Sequence, residues 1–131
     1  MYKLFGLIAS AYGIIAVILG AFGAHALKTK LDDYQHQIYD KAVHYQFFHI
    51  VALMAVFLLS KFYPSKALNL SGWFFTMGTL LFSGSLYLLA TRHLLGLDNF
   101  SKVLGPVTPL GGLSFIVGWV LLFVAILKIK A

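Results

Sequence analysis

The chain has 131 residues, of which 60% are apolar and only 11% charged, and its mean hydropathy is +0.88. Soluble domains carry charge on about a quarter of their residues, so this composition excludes a soluble enzyme and a disordered tail and indicates a membrane protein. The net charge of +6 comes from basic residues that stand in ones and twos between apolar runs, which is typical of the borders of membrane spans and not of a nucleic-acid-binding patch. The absence of cysteine excludes disulfides, thiolate catalysis and cysteine metal sites.

Four stretches are long and apolar enough to cross a bilayer, which takes roughly 20 helical residues. They cover about residues 4–27, 42–62, 68–90 and 107–127. Backbone polar groups in lipid must be satisfied within the protein, which favours helices over strands. We therefore predict an all-α membrane protein, an antiparallel bundle of four transmembrane helices that forms a single membrane domain over residues 1–131.

The connections between the spans differ in length. Residues 28–41 carry Leu31, Tyr34 and Ile38 at helical spacing with charges between them, which predicts a short amphipathic helix in the membrane interface. The alternative is an N-terminal extension of the second span. Residues 61–66 contain Pro64 and predict a tight turn, and residues 91–106 predict a longer polar connection.

An even number of spans places both termini on one side of the membrane. The ten basic residues divide five against five between the two sides, so the excess of lysine and arginine that marks cytoplasmic loops does not decide the orientation. The free N-terminus adds positive charge to the terminal side. We expect a multi-pass protein of the cell (inner) membrane with both termini in the cytoplasm.

Polar and ionisable residues inside membrane spans are costly and often functional. Counted by depth at 1.5 Å per residue, such residues fall in all four spans on the side opposite the termini. The residues of this predicted site for a ligand or a proton are His25, Tyr45, Gln46, His49, Ser83, Ser85, Tyr87, Thr108 and Pro109. His49 is the deepest ionisable residue, about 10 Å below the boundary, and it shares a helix face with Gln46.

Two other roles for His49 are open. As a purely structural residue, it donates a hydrogen bond to a carbonyl or a serine of a neighbouring helix. Together with His25, it ligates a metal or a haem iron, although two histidines are a weak signal for a metal. We expect no metal and no cofactor, with haem or quinone as the alternatives.

Small residues recur in stripes along the spans, and such stripes let helices approach closely in lipid. The predicted helix-packing glycines are Gly13, Gly20, Gly23, Gly84, Gly111, Gly112 and Gly118. The stripes pack the helices of one chain together, or one of them forms the seam of a homo-oligomer. We expect a homo-oligomer in the lipid bilayer, with a membrane-protein partner as a further option and no nucleic acid.

Five sequence blocks occur in the order of a known family. They are residues 20–27 (GAFGAHAL), Tyr45-Gln46 with His49, residues 81–87 (LFSGSLY), Thr108-Pro109 with Gly111-Gly112, and Gly118-Trp119. On these blocks, nearly the whole chain resembles a family of small bacterial inner-membrane proteins of unknown function that also has a mammalian transmembrane relative. The resemblance implies four spans and no established activity, so it carries over no catalytic residue.

Two functions fit the sequence. The first is the binding of a small ligand, a lipid or a proton in a polar pocket within one leaflet, since histidine titrates near physiological pH. The second is a structural or assembly role in a membrane complex, in which the polar residues lock the helix packing. An enzyme is not expected, because the four acidic residues lie in connections and the spans hold no serine–histidine–acid set.

Overall fold

The computed structural model describes residues 2–130 and has four long helices in that range. They are α1 (Tyr2–Ala24), α2 (Asp33–Phe62), α3 (Lys66–Leu95) and α4 (Ser101–Leu127), with a 3₁₀ turn at Asp98–Phe100 before α4. Each of the four helices is long and apolar enough to cross a membrane. The structure thus confirms the predicted all-α membrane protein with four spanning helices.

Local sequence sets the ends of the two central helices. At the start of α2, Asp32 Oδ1 accepts a hydrogen bond from Gln35 N (2.7 Å) and Gln35 Oε1 accepts one from Asp32 N (2.9 Å), which closes a capping box. Ser65 caps α3 by accepting a hydrogen bond from Leu68 N. α3 ends at Gly96, whose φ of 67° is a left-handed conformation that glycine adopts without strain.

Two connections are shorter than the sequence predicts. Because α2 begins at Asp33, there is no separate amphipathic helix in residues 28–41, and most of that segment is the N-terminal extension of α2, the stated alternative. α4 begins at Ser101 and contains both Pro106 and Pro109, so the polar connection predicted for residues 91–106 is largely helical. Hydropathy detects only the part of a helix that lies in lipid, whereas these helices continue beyond it.

The helices pack in a defined order. α3 lies between α2 and α4 and packs closely along both, and α1 packs mainly along α2. Large apolar side chains from all four helices meet in one core cluster, which includes Phe5, Leu53, Phe75 and Phe115. The outer faces carry many exposed apolar side chains, as expected of a surface that meets lipid.

Phenylalanine rings lie over glycines at two contacts between α3 and α4. Phe75 and Gly78 of α3 are three residues apart, as are Phe115 and Gly118 of α4. The Phe75 ring covers Gly118 and the Phe115 ring covers Gly78, and a Cβ added at either glycine would stand less than 3.0 Å from ring carbons. Each helix therefore places a phenylalanine ring over a glycine of the other helix, which permits the two helices to approach closely.

Three of the glycines predicted to pack helices occupy contacts of this kind. A Cβ at Gly23 would meet the Tyr39 ring of α2, and a Cβ at Gly118 would meet the Phe75 ring. At Gly111 the neighbouring atoms belong to the backbone of α3 around Phe82, so this is the closest backbone approach among the three.

The other predicted packing glycines do not form close contacts. A Cβ at Gly20 or Gly112 would be in ordinary van der Waals contact, at 3.7 and 3.8 Å from the nearest atom. Around Gly13 and Gly84 no described atom lies within 4 Å of such a Cβ. A side chain at either position would therefore meet open space, so these two glycines do not permit a close helix contact within the chain.

Candidate ligand-binding site

His49, near the middle of α2, is 5% exposed and uses both ring nitrogens within the protein. Its Nδ1 lies 2.7 Å from the carbonyl oxygen of Tyr45, and its Nε2 lies 3.1 Å from Trp119 Nε1 of α4. A carbonyl only accepts and an indole N–H only donates. The partners therefore assign the neutral tautomer in which Nδ1 carries the proton and Nε2 accepts from Trp119.

Aromatic rings from α2, α3 and α4 surround this imidazole. It stacks on the Phe115 ring with 3.5 Å between the ring centroids and an angle of 9° between the planes. Trp119 meets the imidazole edge-on at 5.9 Å, and the Tyr45 ring lies 4.5 Å from that of Phe82. Packing and hydrogen bonding together hold His49 in one orientation.

A groove of about 580 Å³ opens beside His49 between α2 and α4. We call it the α2–α4 groove. It is lined by Tyr45, His49, Phe82, Pro109, Gly112, Leu113, Phe115, Ile116 and Trp119. Its volume is in the range of small-molecule sites, which are mostly apolar with a few placed polar groups. Gly112 lies one helical turn after Pro109 and has no side chain, so no side chain of α4 fills the groove at that position.

A second group of polar residues joins α1, α2 and α3 on another side of α2. Gln46 Nε2 donates to the carbonyl of Tyr12 (3.0 Å), and Tyr87 Oη donates to Gln46 Oε1 (2.6 Å). Tyr12 Oη in turn donates to the carbonyl of Thr76 (3.0 Å). Gln46 is 3% exposed, so this network is a buried link between three helices.

Of the remaining predicted site residues, Ser83 lines a small pocket with Tyr12, Gln46 and Tyr87, and Ser85, Thr108 and His25 belong to neither group. Ser83 Oγ donates to the carbonyl of Ala42 (2.8 Å), and Ser85 Oγ is 2.6 Å from Thr108 Oγ1, which ties α3 to α4. His25 follows the end of α1 and is exposed. The structure therefore brings Tyr45, His49 and Pro109 to one groove, and places the other six residues of the predicted site elsewhere.

Several residues of the groove were not among those predicted. Phe82, Phe115 and Trp119 are three of the five aromatic side chains that line it, and they lie on α3 and α4. A sequence signal for two of them exists, because Phe115 and Trp119 are four residues apart and so share a helix face. Whether these residues meet His49 depends on how α4 is rotated about its own axis relative to α2. The spacing of residues within one helix does not determine that rotation.

The arrangement bears on the metal and haem alternatives. A haem or a metal held by His49 and His25 would require His49 to give up one of its two hydrogen bonds. Among residues 2–130, no three His, Asp, Glu or Cys side chains lie together as metal ligands would. The groove offers aromatic and aliphatic surface, and no carboxylate is among its lining residues.

Comparison with known proteins gives one family. Residues 19–112 match the family described as "Protein of unknown function (DUF423)". A UPF0382 membrane protein of Staphylococcus epidermidis is 40% identical over 126 residues, which are 96% of this chain and 97% of the relative. The UPF0382 membrane protein YwdK of Bacillus subtilis is 37% identical over 127 residues, 96% of this chain and 98% of the relative. No solved structure matches.

Proposed function

The chain belongs to the DUF423 family of membrane proteins, and from this premise we propose that it binds a small, membrane-soluble molecule with a flat ring in the α2–α4 groove. The observation that carries the proposal is the set of aromatic rings around an oriented imidazole at a groove of about 580 Å³. Flat rings stack favourably on such walls. The bilayer itself supplies molecules of this kind, of which quinones are one class.

Tyr45 is the polar contact that we assign to the ligand. Its side chain is 41% exposed and its ring lines the groove beside Phe82 and Phe115. Both nitrogens of His49 are engaged, whereas the Tyr45 hydroxyl has no hydrogen bond to another described residue. A ring that bears a carbonyl would stack against the aromatic wall and accept a hydrogen bond from this hydroxyl.

The test is native mass spectrometry of the chain in mild detergent, together with titration of a naphthoquinone probe. A Trp73→Phe background leaves Trp119 as the single tryptophan, so quenching of its fluorescence reports occupancy of the groove. Gly112→Leu fills the groove, and Gly13→Leu, at a position with no described atom nearby, is the matched control.

The proposal expects quenching that saturates in the parent protein and the Gly13→Leu variant, and a loss of at least about tenfold in affinity in Gly112→Leu. A co-purified mass should disappear in the same variant. Equal quenching in Gly112→Leu and Gly13→Leu would show that the probe partitions into detergent without entering the groove, and the proposal would be abandoned.

A structural or assembly role is the second candidate. It is supported by the pairing of the buried polar groups inside the chain, since Gln46, Ser71, Ser83 and His49 all bond to neighbouring helices. Under this role the groove receives a helix of a partner or of a second copy. Cross-linking from Leu113, which is 57% exposed beside the groove, would then give a discrete protein adduct, and no small molecule would be retained.

The membrane and the orientation are further parts of the proposal. We place the protein in the cell (inner) membrane with both termini in the cytoplasm, as a homo-oligomer. A reporter that is active only in the cytoplasm should then give a signal when it is fused at residue 131 and no signal when it is inserted in the α3–α4 connection. The reverse result would place the termini on the other side. The native mass spectrum supplies the number of subunits in the same experiment.

A further inference from the structure

A second cavity lies at the opposite end of the bundle, where α2 turns into α3. Its volume is about 560 Å³, and it is lined by Tyr2, Phe5, Ser60, Pro64, Ser65, Lys66 and Asn69. We call it the terminal cavity. Five of its seven lining residues carry hydroxyl, amide or ammonium groups and none carries a carboxylate, although most of the lining surface is apolar, as in the α2–α4 groove.

Asn69 lines the cavity, and its side-chain amide makes no hydrogen bond within the described part of the chain. Its Oδ1 atom is buried and has no hydrogen-bond partner among residues 2–130. The NH₂ of the same side chain is neither buried nor hydrogen-bonded within residues 2–130. It is therefore free to donate to an anion in the cavity, and the Oδ1 atom, which is an acceptor like a phosphate, takes no part in that contact.

The charge at this end is uniformly positive among the side chains. The four aspartates, Asp32, Asp33, Asp40 and Asp98, all lie in or beside the connections at the other end, and the chain has no glutamate. The basic residues at the cavity end are Lys3, Lys61, Lys66, Lys128 and Lys130. Since Lys66 lines the cavity, an anion that enters meets an ammonium group and no opposing carboxylate.

The cavity lies where the spanning helices are expected to leave the hydrocarbon and enter the headgroup region. It lies at the ends of two spanning helices, α2 ending at Phe62 and α3 beginning at Lys66. Tyr2, Tyr63 and Trp73 lie at the same end, and tyrosine and tryptophan are enriched at membrane–water interfaces. Phe5, which is 1% exposed, gives the cavity an apolar base on the side of the hydrocarbon.

We propose that the terminal cavity binds the phosphate group of an anionic membrane lipid, with Lys66 as its counter-ion and Ser60 and Asn69 as hydrogen-bond donors. The acyl chains lie along the outer faces of α1 and α3. This site is separate from the α2–α4 groove and does not depend on the function proposed for that groove.

The experiment measures lipid retention by native mass spectrometry with equal amounts of dioleoyl phosphatidylglycerol and dioleoyl phosphatidylcholine. The parent protein should retain the anionic lipid about fivefold better, as expected for one lysine near an anionic surface. Lys66→Gln should bring the ratio close to one. Lys30→Gln, which removes the same charge at the other end of the bundle, is the matched control and should leave the ratio unchanged.

A second variant tests the cavity itself. Ser60→Leu fills it without changing the charge and should lower retention of both lipids, while circular dichroism checks that the helices remain folded. Glycerol 1-phosphate added as a competitor separates the two sources of the phosphate group: displacement of the lipid means that the headgroup alone suffices, and no displacement means that the acyl chains contribute. Equal losses in Lys66→Gln and Lys30→Gln, or no preference in the parent protein, would overturn the site.

Discussion

Substitution of Gly111 by alanine tests the closest approach of α3 and α4. The added Cβ would stand 2.7 Å from Phe82 Cα and 2.8 Å from the carbonyl carbon of Leu81. These are backbone atoms, so no side-chain rotation relieves the contact. The backbone nitrogen of Phe82 is nearer still, so the helices must move apart by about 1 Å to restore an ordinary van der Waals distance.

Gly112→Ala is the matched control, because the two glycines are neighbours in α4. A Cβ at Gly112 would be 3.8 Å from the Phe82 ring, an ordinary contact. Replacing glycine by alanine inside a helix gains about 0.5–1 kcal/mol from backbone entropy, and this gain is the same at both positions. The two variants therefore differ by the cost of overpacking alone, which is about 1–3 kcal/mol.

The assay is reversible unfolding in mixed micelles of mild detergent and sodium dodecyl sulfate, followed by far-UV circular dichroism. Gly112→Ala should equal or exceed the parent protein in free energy of unfolding, and Gly111→Ala should fall below Gly112→Ala by the amount given above. Equal stabilities for the two variants would refute the reasoning, since they would mean that the α3–α4 backbone contact at Phe82 does not exist as described.

Three further predictions follow from the hydrogen bonds between helices. Trp119→Phe keeps an aromatic ring, smaller than the indole, but leaves His49 Nε2 without its donor, and should cost about 1–3 kcal/mol in the same unfolding assay. Gln46→Leu removes two bonds, to the Tyr12 carbonyl and from Tyr87, and should cost about 1–3 kcal/mol, since interhelical bonds in lipid contribute roughly 0.6–2 kcal/mol each. Ser71→Ala removes the single bond to the Gly118 carbonyl and should cost about 0.6 kcal/mol; a loss larger than that of Gln46→Leu would contradict this ranking.

The sequence is sufficient to predict the number and type of the elements. Apolar runs of more than 20 residues have one stable form in lipid, and Pro64 lies in the short turn between α2 and α3, as predicted. The ends of the helices were harder to predict. The capping box at Asp32 and the charged first turns of α2 stabilise a helix outside the lipid, where hydropathy gives no signal.

The candidate site was only partly predictable, for a different reason. The depth of a residue follows from counting along its helix, and the pairs Ser85–Thr108 and Gln46–Tyr87 do lie at matching depths. The direction a side chain faces depends on the rotation of each helix, which the packing of large rings over glycines sets. Gly13 and Gly118 both belong to small-residue stripes, yet only Gly118 lies under a ring.

The order of the helices along the chain has a consequence for biogenesis. Gln46 and His49 are synthesised in α2, but their partners Tyr87 and Trp119 come later, in α3 and α4. Gln46 Nε2 has its partner, the Tyr12 carbonyl, in α1, which is made first. Until α3 and α4 are inserted, α2 therefore carries an unpaired amide oxygen and an unpaired imidazole nitrogen, and we expect this to make the unfinished protein a target for membrane quality control. Insertion of α4 removes the last of these exposed groups, so a chain truncated after Leu95 should be degraded faster than the complete one.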